Sequence, residues 1–171
     1  MSKIKATVVS SIVLSATGFF PSAGQSNDLQ TAPSETILTF TSDLDGQASD
    51  VTLNLAMLEE MDAVTFSTST IWTEGTQVFT GVPLSRLIHS VDGGGVSVTL
   101  KAMNDYSVTI PLAEVRGDYP IVAYLNNGEP MSIRDKGPLW VVYPYDLSDE
   151  YRSEVVYARS IWQLDRIEFG E

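Results

Sequence analysis

Hydrophobic and polar positions alternate along "ETILTF" (35–40) and "VTLNL" (51–55), the period-two pattern of half-buried strands, and the β-branched run "AVTFSTSTIW" (63–72) predicts a third strand. Between the second and third, "AMLEEM" (56–61) reads as a short helix. The pattern lapses over "TEGTQVFTG" (73–81), which reads as a loop. It then changes period: Leu84, Leu87, Ile88 and Val91 recur at helical spacing behind Pro83, a residue suited to a first helical turn. Two further strands are expected at 96–102 and 106–110 around the turn signal Asn104-Asp105, followed by a short helix at 111–116. "YPIVAYLNNGEPM" (119–131) predicts a strand closed by a hairpin at Asn127-Gly128, a pair that tolerates the left-handed backbone of a tight turn. "PLWVVYP" (138–144) reads as a buried strand, "LSDEYRSE" (147–154) as an acidic helical turn, and the last strand falls within "SIWQLDRIEF" (160–169). Strands outnumber helices with no regular βα alternation, so the expected class is α+β with a mixed sheet.

The first 24 residues stand apart from this pattern. A basic start (Lys3, Lys5), an apolar run to Phe20 and the small residues Ser22, Ala23 and Gly24 make a secretory signal peptide. The apolar run is about 15 residues, short of the ~20 that a spanning helix needs. Residues 25–34, "QSNDLQTAPS", read as a flexible lead-in, and 35–171 as one folded domain, which fits a chain of 171 residues. Removing the leader takes the net charge from −12 to about −14. A domain that acidic repels nucleic acid and anionic membrane, so neither is an expected partner. The absence of cysteine excludes disulfides, thiolate metal sites and a cysteine nucleophile. A single histidine, His89, excludes any site built from two imidazoles, and it reads as a helix-end residue.

Several motifs carry no chemistry. Gly93 to Gly95 lacks the Lys-Ser/Thr of a phosphate loop and reads as a hairpin loop. Glu59-Glu60 and Asp149-Glu150 are neighbours on helical segments, where adjacent side chains point apart. The serines and threonines of "TFSTSTIWTE" have no base placed beside them by sequence. What remains is a set of aromatics and arginines near loops: Trp72, Trp140, Tyr143 and Tyr145, then Tyr157, Arg159, Ser160 and Trp162 in "YARSIW", with Arg134 and Arg152 among only 10 basic residues. Trp140 and Tyr143 alternate inside a strand, where core packing and a pocket wall are both open readings. Each arginine is open in the same way, between a surface ion pair and a fork aimed at a ring edge. Aromatic faces with directed donors and acceptors are what a flat polar heterocycle requires.

The order of segments resembles a known family. "FTGVPLSRLI", "NDYSVTIPLAEV", "IVAYLNNGEPM", "DKGPLWVVYP" and "ARSIWQLDRIEF" follow one another as in the molybdopterin-binding domain of the sulfite oxidase family, from about Glu35 to Phe169. That resemblance implies the family's mixed-sheet fold. In catalytic members a cysteine thiolate ligates molybdenum; the matching segment here is "FSTSTIW", with Thr68 in the cysteine's place, and a neutral hydroxyl is a poor ligand for that metal. Trp140 stands where the family has an arginine, and Trp162 where it has a lysine near "ARS". With these departures the chain is most similar to the small secreted, cysteine-free relatives that bind free pterins in the periplasm, the PruR-type proteins.

This second resemblance implies a periplasmic sensor with no catalytic cofactor, whose pterin-bound form acts on the periplasmic region of a membrane-bound enzyme that makes or degrades cyclic di-GMP. It assigns stacking or wall contacts to Trp72, Trp162 and Tyr157. The polar ring edge falls to Arg134, Arg159 and Ser160, with Asp135 accepting from amino and ring N–H groups. Tyr145 borders the same pocket, and Trp140 marks the change from a charged cofactor to a neutral ring. Two other readings remain open: a molybdenum-cofactor oxidoreductase or subunit using ligands other than cysteine, and a ligand-free adaptor whose aromatic patch is a protein interface.

Overall fold

The computed structural model of the protein describes residues 35–44 and 47–170; the expected signal peptide and lead-in lie outside them. Among the described residues ten strands form two sheets, with three short α-helices. In the first sheet β1 (Thr36–Leu44) pairs antiparallel with β2 (Gln47–Asn54) and parallel with β10 (Leu164–Gly170). The sheet continues to β5 (Ser97–Ala102) and β6 (Ser107–Pro111), in the order β2-β1-β10-β5-β6. The first and last described strands are thus neighbours at its centre. One face is apolar: Leu38, Phe40, Val98, Leu100, Ile167 and Phe169 are buried, and Phe40 stacks on Phe169 with centroids 6.2 Å apart. The single parallel pair among antiparallel ones gives the expected mixed α+β class.

The second sheet positions the site. β3 (Val64–Ser69) pairs with β4 (Thr76–Pro83), and β4 with β7 (Ile121–Asn126). Residues Ile121 to Tyr124 are all buried, so this strand is covered on both faces and reads as a continuous apolar run. Its other edge is shared by two short partners. β9 (Trp140–Val142) covers Ile121–Ala123, and β8 (Glu129–Pro130) covers Leu125–Asn126. Between those two pairings the edge is notched. The hairpin from β7 to β8 turns at Asn127-Gly128 as expected, with φ of 53° and 84°.

Three segments differ from the sequence expectation. The stretch read as a loop at 73–81 contains β4: Gly75 and Gly81 bracket the alternation of "TQVFT" and hide it. Gly81 is there for contact, since a Cβ would meet the Val122 carbonyl oxygen at 2.2 Å. The strand expected over 63–72 stops at Ser69, and Trp72 lies in the turn beyond. The acidic helical turn resolves into a 3₁₀ turn, Asp149–Tyr151, and a separate helix α3 (Glu154–Arg159), capped by Ser153, whose hydroxyl accepts the Val156 N–H at 3.3 Å. The helices α1 (Leu55–Glu59) and α2 (Leu84–Ser90) fall where expected, with Pro83 capping α2 rather than entering it. Among the described residues no helix is long and apolar enough to cross a membrane.

Candidate functional site

Trp72 organises an aromatic cluster on the second sheet. Its turn is fixed locally: the Trp72 N–H donates to Thr70 Oγ1 at 3.0 Å, and the hydroxyls of Thr70 and Thr73 are 2.7 Å apart. From there the indole makes edge contacts with Trp140 (5.9 Å between centroids), Tyr157 (5.7 Å), Trp162 (5.7 Å) and Tyr145 (6.1 Å). Five of the nine residues singled out from sequence therefore meet in one place, and they include every one of the chain's 3 tryptophans.

Beneath them the floor is dry and already hydrogen-bonded. Trp140 is 0% exposed; its indole N–H donates to the Ser160 carbonyl at 3.3 Å, and its ring packs edge-on against Phe79 at 5.2 Å. The Tyr145 hydroxyl donates to Ser160 Oγ at 2.7 Å, and Ser160 Oγ donates to the Val156 carbonyl at 2.8 Å. Burial pushes the Tyr145 phenol well above its ordinary range. It pushes Tyr143 to about 12, although the charge and hydrogen bond of Arg159 oppose it. Ser160 and Tyr145 thus brace the floor. Arg159, with a side chain 17% exposed, is engaged by Glu114 at 2.8 Å, and Arg134 is exposed on the loop outside the cavity lining.

A cavity of about 340 Å³ opens at the notch in the edge of β7, within the ~300–1,000 Å³ usual for small-molecule pockets. Trp140 forms its base, Asn126 and Glu129 one side, and Ser132, Asp135 and Lys136 the other, with Thr73 contributed by the turn of Trp72. The loop 131–137 is held tightly. The N–H groups of Asp135 and Gly137 both donate to the Ser132 carbonyl, at 3.1 and 2.9 Å. Gln163, in the left-handed region with φ of 54°, ties the loop to β10: its side chain donates to the Ile133 carbonyl at 2.6 Å and its N–H to the Lys136 carbonyl at 3.1 Å. The Lys136 ammonium lies 5.5 Å from the Trp140 ring centroid and 5.9 Å from that of Trp162, and makes no ion pair among the described residues. Of these lining residues the sequence reading had chosen Asp135 and Trp140. The doubled asparagine of "NNG" was a signal for Asn126, because a hairpin turn needs only one of them, and Lys136 stood inside "RDKGP" beside a Gly-Pro.

The position assigned to a metal-ligating cysteine is closed. Thr68 is 0% exposed; its hydroxyl donates to the Ser69 carbonyl at 3.2 Å and accepts the Asp146 N–H at 3.1 Å. The Asp146 carboxylate accepts from the Ser69 N–H and, at 2.7 Å, from the Ser69 hydroxyl, and pairs with Arg152 at 3.3 Å. With no thiolate in the chain and no group of three or more potential metal ligands among the described residues, the donor set does not fit a molybdenum centre held as in the catalytic family.

The clasp predicts a pH signature. The Ser69 backbone N–H, then its hydroxyl, hold the Asp146 carboxyl below its ordinary value of 3.8, with burial opposing and Arg152 and Thr68 adding to the effect. A depressed native pKa contributes stability above 3.8 that is lost as pH falls through the native value. Asp146→Asn is therefore expected to melt lower than wild type at neutral pH, with a difference that shrinks in acid. A difference independent of pH would contradict the clasp.

The chain's likenesses agree with this geometry. The family model described as oxidoreductase molybdopterin binding domain matches residues 29–149. Among solved structures, the sulfane dehydrogenase SoxCD from Paracoccus pantotrophus superposes with a TM-score of 0.55 at 17% identity over 77% of this chain, a likeness of fold. The chain spans 37% of that protein's length. No curated protein matches it in sequence.

Proposed function

The chain belongs to the oxidoreductase molybdopterin-binding domain family, and we propose that it is a member that holds a free pterin instead of a metal cofactor. One observation carries this reading: the position assigned to the metal-ligating cysteine is a buried, doubly bonded Thr68, while a separate cavity at the edge of β7, with Trp140 in its lining, offers polar groups. Trp162 would stack on the ring above the Trp140 floor, and Asp135 would accept from its amino and ring N–H groups in a charge-assisted bond. The residues fit a neutral heterocycle better than an anionic one, since Glu129 and Asp135 outnumber Lys136 in the lining. The leader-like N-terminus supports action in the periplasm, and the resemblance to PruR-type proteins supports a partner: the periplasmic region of a membrane-bound enzyme of cyclic di-GMP synthesis or degradation.

Trp162→Ala is expected to weaken pterin binding by the ~1–3 kcal/mol that stacking on a flat base contributes in nucleic-acid cases, roughly 5- to 150-fold in affinity. Calorimetric titration of the two proteins checks this; equal affinities would remove Trp162 from the site. Capture of the membrane enzyme's periplasmic region should depend on added pterin. Capture indifferent to pterin would identify a ligand-free adaptor.

A second reading is favoured by the family match itself: a molybdenum-cofactor oxidoreductase, or a non-catalytic subunit of one, that has dispensed with the cysteine. Metal analysis of protein from its native compartment separates the two, because stoichiometric molybdenum belongs only to the second.

A further inference from the structure

Two adjacent asparagines end β7 in opposite circumstances. Asn127 is fully employed in the fold: its Oδ1 accepts the Val78 N–H at 2.9 Å and its Nδ2 donates to Gln77 Oε1 at 2.7 Å. Asn126 lines the cavity, and its Oδ1 is buried with no hydrogen-bond partner. It is the one buried side-chain polar atom among the described residues left in that state. A buried acceptor without a donor destabilises the protein that contains it, and native structures hold few of them. An apolar residue of similar size would remove the cost if Asn126 served only the fold. The position asks for no polar group: its strand partners are Phe79 on β4 and Glu129 on β8, and the turn that follows is made by Asn127-Gly128.

We infer that Asn126 determines ligand specificity: its carboxamide is the partner reserved for a ring edge that sets a hydrogen-bond donor beside an acceptor. The inference rests on the reading of the cavity as a pterin site and assigns its chemistry. Among the charged lining groups Glu129 and Asp135 offer acceptors only and Lys136 donors only; the hydroxyls of Ser132 and Thr73 offer both on one rotating oxygen, and that of Thr73 is already engaged with Thr70, whereas a carboxamide presents one of each on separate atoms in a single plane. The torsion that orients a carboxamide is soft, so the group can turn toward an arriving ring without moving β7. A lactam edge, N–H next to C=O, is the complementary shape, and 2-amino-4-oxopteridines carry one. A site that leaves a buried polar group unpaired until the right ligand arrives rejects analogues that lack the matching edge.

The test separates ligand recognition from structure because the two predict opposite movements. Asn126→Leu fills similar space and removes the orphan acceptor. Its thermal midpoint in the absence of ligand should equal or exceed that of wild type, while its affinity for 2-amino-4-oxopteridine falls at least tenfold. Asn126→Asp keeps the shape but offers acceptors only and adds a third carboxylate; it too should lose at least tenfold. Asn126→Leu binding within twofold of wild type would overturn the inference and leave the pterin reading standing. Loss of affinity together with a lowered midpoint would also overturn it, by showing a structural role. If wild-type protein binds no 2-amino-4-oxopteridine, the pterin reading itself falls, and this assignment with it.

Discussion

Trp140→Ala is expected to destabilise the protein by about 3–5 kcal/mol, the range for truncating a large buried aromatic. The side chain is 0% exposed and lies where several elements meet. Its backbone pairs with Ala123 of β7 and bridges to Trp162. Its ring packs on Phe79 of β4 and on Trp72, and its N–H reaches the Ser160 carbonyl after α3. Neighbours held from so many directions cannot collapse into the space. Because native domains are stable by only ~5–15 kcal/mol, a loss of this size removes between about a fifth and all of the original margin. Urea unfolding would show a much lower midpoint with an unchanged slope. A loss below about 1 kcal/mol would mean that Trp140 is not the packed floor described above. Trp162, half-buried and with its ring 5.9 Å from the Lys136 ammonium of the cavity lining, should separate from it by costing more in ligand affinity than in stability.

Gly137→Ala is expected to disturb the site more than any other single-methyl change. A Cβ there would lie 1.9 Å from the Met131 carbonyl oxygen and 2.4 Å from its carbon, so the obstruction is backbone and no rotamer relieves it. The loop 131–137 must open, carrying Ser132, Asp135 and Lys136 away from the cavity and straining the two bonds from Gln163. Overpacking of this kind costs about 1–3 kcal/mol in stability. The loss in pterin affinity should be larger than a similar loss of stability elsewhere would cause, since the polar wall itself moves. Melting and calorimetric titration of the same sample check both. Wild-type affinity in Gly137→Ala would show that the loop does not form the wall.

Local signals announced much of the fold. The Asn127-Gly128 turn, the alternating strands β1 and β5, and helix α2 follow from residue type and period alone. β4 escaped because its short alternation is framed by Gly75 and Gly81, and one of those glycines answers to Val122, 41 positions away in sequence, rather than to its neighbours. The site divides in the same way. That tryptophans and tyrosines gather was legible in their placement near loops. Which side chains line the cavity was not, because the notch exists only where β8 and β9 share one edge of β7 without meeting. Residue type also conceals prior commitments. Ser160 and Arg159 look like ring-edge donors in sequence, yet within the protein they are bonded to the Val156 carbonyl and to Glu114. Asn126 and Lys136 look ordinary, yet among the described residues the Asn126 Oδ1 is buried without a hydrogen-bond partner and the Lys136 ammonium makes no ion pair.

The central claim is that the cavity at the edge of β7 takes a pterin. Titrating purified, metal-free protein with oxidised and reduced pterins by calorimetry tests it most directly. A stacking contact over an aromatic floor and a few directed hydrogen bonds predict saturable, one-to-one binding of at least one redox form with a Kd of about a micromolar or tighter, equivalent to ~8 kcal/mol. The absence of any saturable signal at tens of micromolar, for every redox form, would contradict it.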